Sequence, residues 1–121
     1  MRRYPVTVTT AADGTATAYT PRGINGEIHQ IEYVKTDFAN GVDFTITGEA
    51  TGVNIWTQSD VNASAVVAPR QPTHSQAGVA SLYASGGTAV QARIALANDR
   101  VKIAIAQGGA TKTGTFHILV A

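Results

Sequence analysis

Val42-Asp43-Phe44-Thr45-Ile46-Thr47-Gly48 is the stretch that decides the fold. Val42, Phe44 and Ile46 alternate with Asp43, Thr45 and Thr47 in a strict period of two. Period two marks an extended strand with one face buried, and Val, Ile and Thr pack well on a pleated surface. On its C-terminal side, Gly48 to Gly52 reads as a tight connection. Val53 and Ile55 then alternate with Asn54 and Trp56, which puts Trp56 on the outward face of the next strand. Ser64 to Ala68 reads as a short strand ended by Pro69.

On the N-terminal side, Asp37 to Gly41 is a loop. Glu27 to Lys35 is a strand with Ile31 and Tyr33 on one face and Ile28 and Val34 on the other. Tyr4, Val6 and Val8 form the first strand. Pro5 lacks an N–H to donate, so this strand belongs on a sheet edge. Asp13-Gly14 is a turn dipeptide, which makes Thr15 to Thr20 the return strand of a hairpin. The C-terminal third repeats the pattern. Val90 to Leu96, Val101 to Ile105 and Phe116 to Val120 alternate, with turns at Asn98-Asp99 and Gln107-Gly108-Gly109. About nine short strands at such spacing predict an all-β chain. The expected architecture is one antiparallel β-sandwich domain over residues 1–121, of jelly-roll or immunoglobulin-like type.

Residues 69–88 differ in kind. Pro69, Pro72, Gly78, Gly86 and Gly87 make this the longest irregular segment. Val79, Leu82 and Tyr83 share one helical face, Ser75 could cap its start and Gly86 its end, so one short helix is expected near 76–85. Long excursions from a compact domain are often functional, and this one is the first candidate for a partner contact.

Charged residues are 14% of the 121 residues and the net charge is +1, against about 25% charged residues in an ordinary soluble domain. Twenty residues are Ala and 16 are Thr. This composition excludes a disordered tail and a basic nucleic-acid module, which needs surplus Lys and Arg to neutralise phosphates. No cysteine is present. No apolar run follows Arg2-Arg3 and none approaches 18 residues, so neither a secretory signal nor a membrane partner is expected. His29, His74 and His117 are not spaced as a ligand pair, the acidic residues are scattered, and no G-x-S-x-G or phosphate-binding loop occurs. No catalytic residue, metal or cofactor is therefore expected. The candidate interface residues are Arg2, Arg3 and Tyr4 on the edge strand, Trp56, and Arg70, His74, Leu82 and Tyr83 of the excursion. Trp56 with Tyr33 or Tyr83 would also make a sugar platform, which keeps a carbohydrate-binding sandwich as an alternative.

Two runs carry a resemblance. Tyr33-Val34-Lys35-Thr36-Asp37-Phe38-Ala39-Asn40-Gly41-Val42-Asp43-Phe44-Thr45-Ile46-Thr47 is one. The other is Ala97-Asn98-Asp99-Arg100-Val101-Lys102-Ile103-Ala104-Ile105-Ala106-Gln107-Gly108-Gly109, followed by Lys112-Thr113-Gly114-Thr115-Phe116-His117. The chain resembles a family of small virion structural proteins of tailed bacteriophages and prophages, encoded among head and head–tail joining genes. The resemblance implies a β-sandwich made in the bacterial cytoplasm and built into the virion. It implies a homo-oligomer bound to the major capsid protein as a decoration or cement protein. The alternative is a ring in the neck, bound to neck proteins. It carries over no site residue. Sparse charge fits this setting, because Thr- and Ala-rich surface loses little side-chain entropy when a partner covers it.

Overall fold

A computed structural model describes residues 1–121, and it is all-β, sandwich-like, with no helix. Eleven strands run in chain order: β1 Arg2–Thr9, β2 Ala16–Tyr19, β3 Ile24–Lys35, β4 Val42–Gly48, β5 Asn54–Val61, β6 Ala65–Val67, β7 Gln71–Pro72, β8 Gln91–Ala92, β9 Ile94–Asp99, β10 Val101–Ala106 and β11 Thr113–Val120. One sheet has the order β1-β11-β3, with β6 and β9 sharing the far side of β3. The second sheet has the order β2-β10-β4-β5, and β7 pairs with β8 apart from both. All pairings are antiparallel. β1 lies on an edge, where Pro5 needs no ladder partner on its outer side.

β3 is the spine of the first sheet. Its first half pairs with β9 and its second half with β6, while β11 runs along most of its other side. Ile24, Ile28, Ile31 and Tyr33 are all buried, which a strict period of two forbids. The register resolves the conflict. Leu119 faces Gln30 and Val120 faces Ile28, so His29 is one residue too many and forms a β-bulge. The bulge switches the strand's parity, so even-numbered residues before it and odd-numbered ones after it share the core. Ile28 and Tyr33 therefore lie on the same face, not on opposite faces as alternation alone predicts.

The core joins the sheets through aromatic rings. Tyr33 and Phe116 of the first sheet sit 5.0 Å apart between ring centres, and each lies about the same distance from Phe44 of the second, at 5.2 and 5.1 Å. Phe38 adds a further ring on Tyr33 at 6.3 Å. Gly114 makes room for it, since a Cβ there would overlap the Phe38 ring. The Tyr33 hydroxyl is buried within this cluster without a hydrogen-bond partner, and burial pushes its phenol up.

Two turns read from the sequence, the first of them as a hairpin, are arches between sheets. Asp13-Gly14 carries the chain from β1 in one sheet to β2 in the other, and β2 pairs with β10, not with β1. Asp13 accepts hydrogen bonds from the Thr15 amide and hydroxyl, which sets the turn locally without choosing the partner of the next strand. Asn98-Asp99 likewise takes the chain from β9 to β10 in the opposite sheet. Asp99 is buried there, and its Oδ1 accepts the Ala50 amide at 2.8 Å, tying this arch to the β4–β5 turn. Arg100 pairs with Glu49 and lies over the Tyr19 ring at 4.2 Å.

Two substitutions in the aromatic cluster should affect stability differently. Gly114→Ala is expected to lower the free energy of unfolding in urea by about 1–3 kcal/mol through overpacking against Phe38. Tyr33→Phe removes a buried hydroxyl that bonds to nothing, and should leave stability equal or raise it by up to about 1 kcal/mol. Because the phenol is harder to ionise in the folded state, the wild type should lose stability as pH rises above the ordinary tyrosine range, and the Phe variant should lose less.

Candidate functional site

The excursion between β6 and β9 is a projecting arm. No residue from 71 to 92 is buried. Its base is the two-residue ladder of β7 and β8. Beyond it, three chain segments meet in a closed ring of backbone hydrogen bonds. The Thr73 amide donates to the Val90 carbonyl at 2.8 Å, the Val90 amide to Ser81 at 2.8 Å, and the Ser81 amide back to Thr73 at 3.0 Å. Two small hairpins grow from this junction. In one, His74 bridges Ala80 and the Ser75 amide donates to Val79. In the other, Leu82 bridges Ala89 and the Tyr83 amide donates to Thr88.

The helix expected near 76–85 is absent, and the ring explains why. Ser81 spends its amide on Thr73 and its carbonyl on Val90, both outside the segment. Gly78, with a φ of 77°, turns the chain within the first turn of the expected helix. A ten-residue helix whose apolar face, Val79, Leu82 and Tyr83, packs on nothing is also marginal in water.

The arm is rooted by two arginines. The Arg70 guanidinium donates to the carbonyls of His29 at 3.2 Å and Pro69 at 2.8 Å. On the other limb, Arg93 lies 3.9 Å from Glu27. Both contacts fall on β3 beside its bulge. Arg70, a candidate interface residue, is thus half-buried and holds the arm in place.

Between these arginines, Gln71 to Ala92 contains no Asp, Glu, Lys or Arg. It does hold three of the exposed large hydrophobic residues: Tyr83 is 75% exposed, Val79 65% and Leu82 43%. Water-facing apolar groups on an ordered, uncharged scaffold are the profile of a protein contact surface. His74 is exposed on the same arm. The absence of charge over 22 residues was the readable signal that would have added Val79 to the candidates.

The sheet faces continue this neutrality. Thr17, Ala104, Thr45 and Thr57 are register neighbours across the second sheet. On the first sheet, the hydroxyls of Thr7 and Thr115 lie 3.3 Å apart and those of Thr9 and Thr113 3.4 Å apart.

Trp56 is not an outward residue. It is buried against Phe44, edge-on, with ring centres 4.7 Å apart, and its indole N–H donates to Gln58 at 3.4 Å. A second bulge causes the reversal. Ile46 faces Trp56 while Thr47 faces Asn54, so Ile55 is the extra residue and both Ile55 and Trp56 turn inward. Tyr33 is buried as well, so the sugar platform of Trp56 with Tyr33 or Tyr83 does not assemble. Of the edge-strand candidates, Arg3 pairs with Glu32 at 3.3 Å, Tyr4 packs against the core, and Arg2 bonds to no acid. β1 has no pairing with β7 or β8. His29, His74 and His117 do not converge, and no three His, Asp or Glu side chains gather around a common point.

No protein-family model matches the chain, and no curated protein matches it.

The arm supplies no side chain to the 21-residue core. Replacing residues 73–90 with a short Gly-Ser turn should therefore leave a folded protein with its Trp56 fluorescence still blue-shifted and shielded from iodide. The melting temperature should change by only about 4–8 °C or less, the equivalent of about 1 kcal/mol. A Trp56→Ala variant should instead lose about 3–5 kcal/mol of stability.

Proposed function

We propose that this chain is a non-enzymatic structural subunit of a tailed-phage virion, a decoration or cement protein that stabilises the capsid shell through protein–protein contacts. The observation that carries the reading is the arm: 22 uncharged residues, closed by their own hydrogen bonds, presenting Val79, Leu82 and Tyr83 to solvent. An arm already ordered before contact loses little conformational entropy on docking. Tyr83 and Leu82 of its second hairpin can then act as apolar anchors in a pocket of the shell. The resemblance of the two long sequence runs to small virion proteins supplies the setting. The Thr- and Ala-rich sheet faces suit a subunit with neighbours on several sides.

The arm alone suits a neck ring as well as a shell, and copy number separates the two. Quantitative mass spectrometry of purified particles should find on the order of hundreds of copies for a shell protein, against about a dozen for a neck ring. Heads lacking the protein should melt at higher temperature when it is added back. Val79→Lys with Tyr83→Asp should abolish that gain while the isolated protein melts as before. Tyr83→Ala alone should weaken binding to heads roughly thirtyfold, as loss of a ~2 kcal/mol anchor does. Absence from particles, or full head binding by the charged double variant, would overturn the reading.

A further inference from the structure

The outer face of the second sheet is small-sided and charged only at its ends. Val42, Phe44 and Ile46 of β4 and Val101, Ile103 and Ile105 of β10 are buried, so the residues between them point away from the core. The register sorts these outward residues into rows across the strands. Tyr19, Lys102, Thr47 and Asn54 form one end row, and Thr17, Ala104, Thr45 and Thr57 form the middle row. At the other end Ala106 faces Asp43, with the exposed Asp60 beside it on β5. Thr17, Thr45, Thr57 and Ala106 are all exposed.

Three charges on this face have no counter-charge within the chain. The ion pairs are Arg3–Glu32, Arg93–Glu27 and Arg100–Glu49, and none includes Lys102, Asp43 or Asp60. Arg100 takes both oxygens of Glu49 at the lysine end. Asp43 accepts the Asp60 amide at 2.8 Å through one oxygen and keeps the other free. The face is therefore positive at one end and negative at the other. Asp43 sits opposite Ala106, four positions along β10 from Lys102, which separates the two ends by about 13 Å.

A face charged in this way is complementary to itself. A two-fold axis lying across the strands along the middle row sets the Lys102 end of each copy over the Asp43 end of the other. The same rotation places the larger Tyr19 row over Ala106. Between them Thr and Ala meet Thr and Ala, small side chains that lose little rotamer freedom when covered. A partner carrying one sign of charge would be attracted at one end and repelled at the other. Four strands about 4.8 Å apart and six residues at about 3.4 Å give about 400 Å² of face per copy. Contacts of that size are reversible. β1 and β11, which carry the ends of the chain, belong to the other sheet.

We propose that two copies of this chain pair through the outer faces of their second sheets. Lys102 and Asp43 form reciprocal ion pairs across the two-fold axis, and Ala104 and Thr45 lie on it. The proposal rests on the reading of the chain as an assembly subunit. It uses none of the arm's residues, because the arm grows from the first sheet.

Sedimentation velocity of the full chain over a concentration series is the test. The wild type should form a dimer with a dissociation constant on the order of 100 µM, weakening as salt rises. Lys102→Asp and Asp43→Lys should each dimerise roughly tenfold or more weakly, because like charges then meet at both ends. Mixed in equal amounts, these two variants should form a heterodimer about as tight as the wild-type dimer, since every charge again meets its opposite. Asp43→Asn keeps an acceptor for the Asp60 amide, so it serves if Asp43→Lys does not fold, and it should weaken the dimer about threefold. Thr45→Arg puts two cations on the axis and should abolish the dimer at an unchanged melting temperature. The Val79→Lys, Tyr83→Asp variant should dimerise like wild type. A wild type that stays monomeric up to about 1 mM, or an undiminished dimer in Lys102→Asp or Thr45→Arg, would overturn the proposal. So would two folded charge variants that do not pair with each other, or a dimer lost in the arm variant. If the chain is monomeric but still loads onto heads, only the dimer falls. If it dimerises but particles lack it, the virion reading falls instead.

Discussion

One extra residue at His29 lets a twelve-residue strand serve one core along its whole length. Without the bulge, Ile24 and Ile28 would face water whenever Ile31 and Tyr33 faced inward, because side chains alternate strictly along a strand. With it, β3 can be the spine on which β11, β6 and β9 all pair. The same bulge offers the His29 carbonyl to Arg70. A constraint that begins as a matter of side-chain parity therefore also roots the arm, and Arg93 on Glu27 secures the other limb two residues away.

The molecule divides into a part held by burial and a part held by hydrogen bonds. In the sandwich, Tyr33 and Phe116 stack on each other and meet Phe44 across the gap between sheets at a tilt and edge-on, with Phe38 and Trp56 extending the cluster. The arm has no core. Its order comes from a ring of three backbone hydrogen bonds and two small hairpins, all within reach of water. Such a structure can expose Val79, Leu82 and Tyr83 without collapsing, because its backbone groups already have partners. Its side chains are then free to meet another molecule. A loop that satisfied its backbone through solvent would have to be ordered at the moment of contact.

Much of the architecture was legible from alternation alone. Val42 to Thr47, Val101 to Ile105 and Phe116 to Val120 lie where their period of two places them, and Pro5 marks an edge strand. The failures cluster where one residue is inserted or one turn changes sheet. Trp56 and Ile55 both face inward because a bulge breaks the alternation between them, and nothing in Val53-Asn54-Ile55-Trp56 announces it. Asp13-Gly14 and Asn98-Asp99 are turns as read, but a turn dipeptide bends the chain without choosing the sheet that receives the next strand. The helix near 76–85 failed for a related reason. Its apolar spacing was real, yet Ser81 found hydrogen-bond partners at Thr73 and Val90, which no local pattern encodes.

By itself the sequence determined the class of the fold, the edge position of the first strand and the unusual neutrality of the surface. Each of these follows from residue type or from spacing within a few positions. Only the tertiary structure decided which residues face the core at the bulges, which strands share a sheet, and that residues 71–92 stand clear of the body. It alone set Lys102 and Asp43 at opposite ends of one sheet face. These outcomes depend on pairing between segments far apart in the chain, where register and hydrogen-bond closure, not local propensity, select the structure.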